Sequence, residues 1–541
     1  MKAKRMLALL LAGLMCFALF TACGKKNEGA ADNGGGEEAS SENVAEITFP
    51  LEEKVEYSAW RTAATSDPKL GIVTYNDIEA VQAWEEKSNV HVEWQIPPSG
   101  QEQENFNLMI TSGEYPDMIW DIGQYYVGGL DKAISDGVIV PLNKYMENHL
   151  KDYNALISSN DTVYKDCKTD EGNFAAVYFI NTPDQGPWMG MAMRKDWLDE
   201  LGLDVPVTYD DWHNVLTAFK EQKGATAPLW INASAGDPFN IFTAGYGTAV
   251  LGSSGAGFLN VDKKVQFGPI EEGYKEYITM LHDWYAEGLI DPDFYTRTDW
   301  LCPDTLYGQN ITGAWADIYT LIGLRGAMSG NPDMDLVAVP APVKNAGDKV
   351  HTAQYNFTRG TGTVAISTQC KDADTLAAYL NLGSKQEWAY LAYYGVEGDT
   401  YEMVDGKPVY TDKILNNPDG LAPTDAMTKF CFRSAGMYIW DRELQTADQK
   451  ALDAINDVWP SNIDYDNIYM MPNITITSDE ANRYATIMGD VNTYVGEMTT
   501  AFILGSEPLE NWDSYVESVK GMGIEEAISL QQAALDRFYE R

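Results

Sequence analysis

Flat aromatic rings beside short polar side chains are the chemistry this sequence offers most densely. It holds 15 Trp and 31 Tyr in 541 residues, and several stand next to groups able to bind hydroxyls: Trp60 with Arg61, Trp120 with Asp121, Tyr125 with Tyr126, Trp230 with Asn232, and Trp315 with Asp317. Trp188, Asp237 and Trp440 complete the set of candidate ligand contacts. A ring face stacks on the C–H patches of a sugar. Carboxylate, amide and guanidinium groups take its hydroxyls, and the wrong isomer leaves one of them unpaired. Trp84, Trp197, Trp212 and Trp284 fall within helical periodicity and are assigned to packing. Arg194 fits a ligand contact and an internal ion pair equally well.

Catalytic constellations are missing. The five histidines (His91, His149, His213, His282, His351) lie far apart, with no HExxH and no G-x-S-x-G nucleophile elbow. Gly252 to Gly257 is glycine-rich without the Lys-Ser/Thr ending of a phosphate loop. Asp291, Asp293 and Asp299 look calcium-like, but Thr296 stands where the loop needs glycine and Cys302 where it needs a bidentate Glu. The expectation is no catalytic residue, no metal and no cofactor. A carboxylate pair able to cleave a glycosidic bond depends on a separation that sequence does not state, so a surface-anchored glycan-active enzyme stays open as an alternative.

The charge balance narrows the partners. With 38 Lys+Arg against 80 Asp+Glu, the net charge is −42, which repels nucleic acid and anionic lipid headgroups. The six cysteines (Cys16, Cys23, Cys167, Cys302, Cys370, Cys431) form no CxxC pair, which leaves one or two disulfides or buried free thiols.

The N-terminus resembles a bacterial lipoprotein signal. Lys2, Lys4 and Arg5 precede an apolar run from Met6 to Phe20, then Thr21-Ala22-Cys23-Gly24. By that likeness residues 1–22 are removed and the Cys23 sulfur carries lipid, with Phe20 standing where Leu is usual. The run is shorter than the roughly 20 residues a membrane span requires. Residues 24 to 46 are mostly Gly, Ala, Asn, Ser and Glu, too poor in apolar side chains to offset their own ordering, and read as a flexible tether.

Beyond the tether, helices alternate with short apolar strands. A first strand is expected within Val44 to Tyr57, a loop from Trp60 to Gly71, and a helix over Ile72 to Ser88. Val90 to Trp94 alternates as a strand; Glu102 to Ser112 is a helix ended by Gly113, and Pro116 to Trp120 a buried strand. The pattern resumes past the Pro/Gly cluster at 181–187 with a strand over Met189 to Met193, helices over Lys195 to Leu201 and Tyr209 to Glu221, and strands near Leu336 to Ala341 and Gly360 to Ser367. The segment from about Asp425 onward is mostly helical. This is an α/β architecture with helices on both sheet faces.

Several phrases in order and spacing resemble the family 1 extracellular solute-binding lipoproteins, the sugar-binding subunits of bacterial ABC importers. They include Tyr75-Asn76-Asp77, Phe106 to Asp117, Asp136 to Leu142, Met193 to Leu203, Glu287 to Phe294, Phe502 to Gly505, Trp512-Asp513 and Asp536-Arg537. The resemblance implies the type II periplasmic-binding-protein fold, two α/β lobes joined by a hinge. The first lobe would comprise 47–184 plus about 341–398, and the second 185–340 plus about 399–541. It implies an extracytoplasmic, lipid-anchored monomer that binds an oligosaccharide or sugar derivative and meets ABC permease subunits in the membrane. The candidate contacts would then lie at strand ends facing the cleft, with Trp188 in the hinge. An adhesin or sensor ectodomain using the same lobes is the remaining alternative.

Overall fold

The computed structural model describes residues 46–541 except 63–69, 183–186, 233–239, 253–255, 298, 332, 353–358, 422, 433, 440–441, 443–445 and 447. In chain order the strands are β1 (Val55–Trp60), β2 (Val90–Gln95), β3 (Met118–Trp120), β4 (Val177–Thr182), β5 (Met189–Arg194), β6 (Phe258–Val261), β7 (Lys264–Phe267), β8 (Ala314–Ile318), β9 (Leu336–Val339), β10 (Arg359–Ile366), β11 (Tyr401–Val404), β12 (Lys407–Tyr410) and β13 (Gly436–Ile439). Two sheets organise the molecule: a six-stranded one in the order β13-β4-β10-β3-β1-β2 and a three-stranded one in the order β8-β5-β9.

In the larger sheet β1 pairs parallel with β2 and β3, β13 pairs parallel with β4, and β10 runs antiparallel between β3 and β4. Five carboxyl ends and the start of β10 therefore gather at one edge, the edge where open α/β sheets collect ligands. Helices cover the faces because these strands are apolar on both sides, as in Met118-Ile119-Trp120, where all three residues are buried. In the smaller sheet β8 and β9 both run antiparallel to β5, so the start of β5 lies beside the ends of β8 and β9. Leu229 adds a parallel bridge to Ala314 and another to Ile290, which widens that sheet by two short extended segments with the same polarity as β8.

Each sheet has its own core. Around the larger, Trp60, Phe106, Ile119, Tyr153 and Val364 are buried together; around the smaller, Met193, Trp212, Phe219, Tyr277 and Leu535 are. Each such side chain contributes about 1.5–3 kcal/mol by leaving water. Trp84, Trp197, Trp212 and Trp284 are all buried in these cores or their satellites, as their periodicity predicts.

The chain passes between the sheets three times: from β4 to β5, from β9 to β10, and after β13. β13 belongs to the larger sheet, and the stretch before it packs there too, with Trp388, Tyr401, Tyr410 and Phe430 sharing a core with Trp84. The strip 399–439, placed with the second lobe by sequence reasoning, is therefore built onto the first sheet. The third passage leads into the helical turn around Ala451 to Trp459, which packs on the smaller sheet. Gly190 of β5 is required there: a Cβ at this position would meet the Trp459 ring at 2.3 Å.

Local boundaries shift for physical reasons. β1 runs to Trp60, so that tryptophan is strand rather than loop, and the expected helix over 72–88 starts only at Glu79 after a 3-10 turn over Tyr75–Asp77. The C-terminal periodicity divides into helices Trp512–Gly521 and Ile524–Glu540 at Gly523, whose φ of 99° is left-handed. No helix among the described residues is long and apolar enough to cross a membrane. The four cysteines described, Cys167, Cys302, Cys370 and Cys431, are free thiols.

Candidate functional site

Strand alternation sorts the first-sheet candidates onto two faces. Trp60 and Arg61 are neighbours at the end of β1 and so face opposite ways. Trp60 turns toward the helix Glu102–Ser112, packing edge-on to Phe106 at 5.2 Å and Tyr125 at 5.4 Å, with its indole N–H donated to Asn105 Oδ1 at 2.9 Å. Tyr126 joins this side, 6.5 Å from Phe106, and donates its hydroxyl to Asp136. Trp60, Tyr125 and Tyr126 thus anchor that helix, along which Tyr125 and Leu108 border a groove of about 580 Å³.

Arg61 takes the other face. Its guanidinium carbon lies 4.0 Å from the Trp120 ring centroid, 4.6 Å from Tyr75, 5.1 Å from Phe432 and 5.9 Å from Trp94. Guanidinium groups stack well on aromatic faces because they are flat and weakly hydrated. The rings continue across the sheet as a row: Trp94 to Trp120 is 6.2 Å, Trp120 to Phe179 is 6.4 Å and Phe179 to Tyr438 is 5.6 Å. The row spans β2, β3, β4 and β13 along the carboxyl edge. Trp94, Phe179 and Tyr438 are only partly buried.

Asp121 closes the end of β3 in a left-handed conformation (φ 56°), its N–H bonded to the Thr363 carbonyl at 2.8 Å and its carboxylate accepting from the Thr62 hydroxyl at 3.2 Å. Burial raises its pKa above the ordinary aspartate range, with the Arg61 charge and the Thr62 hydrogen bond pulling the other way. Beside it, the Trp120 indole N–H and the Thr363 hydroxyl are buried without a hydrogen-bond partner among the described residues. Unsatisfied donors of this kind are uncommon in native proteins and suit a ligand rich in hydroxyls.

At the second sheet, Trp188 leads into β5 and its ring lies 5.8 Å from that of Trp300, which is 49% exposed. Trp230 is buried at the start of the segment that carries Asn232, and its indole N–H has no partner among the described residues. Trp315 and Asp317 are fully buried and engaged with each other. Trp315 donates to Asp317 Oδ2 at 2.9 Å and stacks on Tyr307 at 5.4 Å, while Arg325 grips both Asp317 oxygens at 2.8 Å. Arg194 is likewise held by Asp196 and Asn310. Asp291, read as calcium-like, is gripped by Arg297 instead. Asp237, Trp440 and Cys23 lie outside the described residues.

The structure thus gathers Arg61, Trp120 and Asp121 at one edge of the larger sheet, while in the smaller sheet Trp188 stands at the start of β5 beside the end of β8 and Trp230 is buried alongside the start of β8. Sequence reasoning missed Trp94, Phe179, Tyr438 and Trp300. The first three could have been found by strand alternation: Trp94 and Tyr438 stand one residue before the ends of β2 and β13, and Phe179 three residues before the end of β4, on the face that Trp120 shares. Trp300 carries no such signal, because it stands in a coil segment.

Comparison with known proteins gives the same architecture. The family model for the bacterial extracellular solute-binding protein matches residues 74–389. A fructooligosaccharide ABC transporter substrate-binding protein, FusA of Streptococcus pneumoniae, is 23% identical over 96% of each chain, and the lipoprotein LipO of Bacillus subtilis is 23% identical over 80% of this chain and 84% of its own. The solved structure of an HMO-binding, ABC-transporter-associated solute-binding protein from Bifidobacterium longum infantis superposes with a TM-score of 0.71 at 18% identity, covering 90% of this chain and 99% of that one. The chain belongs to the bacterial extracellular solute-binding proteins.

Proposed function

We propose that this protein is the extracytoplasmic receptor of an ABC importer and binds an oligosaccharide between its two sheets. The supporting observation is the aromatic row Trp94–Trp120–Phe179–Tyr438 with Arg61 stacked on it, beside the Trp120 indole N–H and Thr363 hydroxyl, which are buried without a partner among the described residues. Rings supply stacking along the length of a glycan; Arg61 and Asp121 supply directional contacts to hydroxyls. FusA is named for fructooligosaccharides and the bifidobacterial neighbour for HMO, so both point to chains of several sugar units as the ligand class.

In this reading the first lobe comprises the six-stranded sheet with residues 399–439 added, and the second lobe carries Trp188, Trp230 and Trp300. Closure of the lobes brings the two edges onto one ligand, so that ligand shifts an open–closed equilibrium. The protein acts as a monomer, held to the membrane by diacylglycerol on Cys23, and a second acyl chain there makes the anchor stable. LipO, a relative called a lipoprotein, supports the anchor.

The test is calorimetry against fructooligosaccharides, human-milk and N-glycan fragments and uronate oligomers. Micromolar or tighter binding to one class, with no new reducing ends after incubation, is the expected result. No binding across the panel overturns the reading, and new reducing ends point to a glycan-active enzyme. Palmitate labelling that disappears in Cys23→Ser checks the anchor.

A further inference from the structure

A cluster of charged side chains joins the two cores through side chains rather than through the chain itself. The Asp170 carboxylate accepts from Arg537 Nε at 2.8 Å and from Arg541 Nε and Nη2 at 2.8 and 2.6 Å. The Asp170 side chain is 9% exposed and that of Arg541 2%. Arg541 also donates to the Lys165 and Asn473 carbonyls and the Thr475 hydroxyl; Arg537 donates to the Thr475 carbonyl and Glu480. Asn473 in turn donates to Asp166 Oδ2 at 3.1 Å.

The partners come from different cores. Asp166 ends and Asp170 closely follows the helix Asp161–Asp166, and the flanking Val163 and Cys167 are buried in the core of the larger sheet. Arg537 lies on the helix Ile524–Glu540, whose Ile524, Ala527 and Leu535 are buried in the core of the smaller sheet, against which Ile474 also packs. The Asp166 carbonyl accepts from Arg359 Nε at 3.1 Å, at the start of β10. The cluster therefore sits beside a chain crossing and spans the same two bodies.

A buried carboxylate gripped by two guanidinium groups is costly to leave half-paired. Rotation of one body against the other must either carry this cluster intact or break it. We propose that the Asp170–Arg537–Arg541 cluster is a tie that limits how far the two halves swing apart, and that these are positioning residues for ligand capture. The inference rests on the two-lobe reading and needs no knowledge of the ligand.

The test measures distances in the full-length, ligand-free protein by electron–electron resonance between spin labels at Leu108→Cys and Val207→Cys, both exposed positions. In Asp170→Asn the wide-separation population rises about tenfold, the lower end for lost charged hydrogen bonds, and Asp170→Glu restores it. If Asp170→Asn does not fold, Arg537→Gln, at a more exposed side chain, gives the same shift at smaller amplitude. A lowered melting temperature with a distance distribution identical to wild type overturns the tie. A single narrow distance in wild type that no variant or glycan alters overturns the two-lobe reading instead.

Discussion

The Arg61 guanidinium lies 4.0 Å above the Trp120 ring, and its charge acts through space on the carboxylate of Asp121, the residue that follows β3. Ring, cation and anion converge at one strand end, each with its orientation fixed by the backbone. Lysine at this position keeps the charge but loses the flat stacking surface and the fork of donors. Arg61→Lys is therefore expected to weaken the best glycan of the panel by about 10- to 100-fold, the range for loss of a buried charged hydrogen bond. Calorimetry measures it, and an unchanged affinity would remove Arg61 from the site.

Trp300 offers a cleaner separation of binding from stability. It is half exposed and packs on Trp188 alone among the described rings, so Trp300→Ala is expected to change folding free energy by no more than about 0.5 kcal/mol. As a stacking surface it behaves as an interface anchor, worth about 2 kcal/mol or roughly 30-fold in affinity. The comparison of a urea midpoint with a calorimetric titration checks both halves. A variant that binds like wild type assigns Trp300 to the surface.

How much of this was legible in the sequence depends on the period of the pattern. The strand end at Trp120 and helices such as Lys195–Leu201 are fixed by local signals, alternation and a left-handed glycine, whereas the expected first strand stops short of Trp60. Adjacency was legible too: Trp120 and Asp121 stand together at the carboxyl end of β3. Facing was not, because Trp60 and Arg61 are neighbours in sequence yet lie on opposite faces. Pairing across the chain was hidden as well: nothing near Trp315 and Asp317 reveals that Arg325 folds back onto them. The membership of β13 in the larger sheet rests on a contact with β4 more than 250 residues away, and local patterning carries no record of that.

The Asp317–Arg325 pair illustrates the difference between a polar group that binds and one that holds the fold. Both side chains are essentially buried. Arg325→Met is expected to destabilise the protein by about 3–5 kcal/mol, since it strands a carboxylate. Adding Asp317→Leu recovers a large part of that loss, because an apolar pair leaves no charge unpaired. Urea denaturation of the single and double variants gives the coupling, and the folded double variant keeps its glycan affinity. A drop in affinity there returns Asp317 to the ligand site.

The buried thiols predict a sensitivity to alkali. Burial pushes Cys167 up to about 12, where an unfolded cysteine titrates near 8.5. The unfolded chain therefore loses this proton first, and stability falls as pH rises from about 8.5 toward the folded value; below that window the thiol contributes nothing to pH dependence. At pH 10 the loss from Cys167 amounts to about 2 kcal/mol. Cys167→Ala removes this contribution while leaving other alkaline titrations in place. The gap between its urea midpoint and that of wild type is expected to narrow or reverse between pH 8 and pH 10. Native Cys167 should also resist iodoacetamide at pH 8, since it is 1% exposed and its hydrogen-bond neighbour is the buried Tyr153 hydroxyl. Rapid labelling of that peptide, read by mass spectrometry without denaturant, would falsify the closed core described for the first sheet.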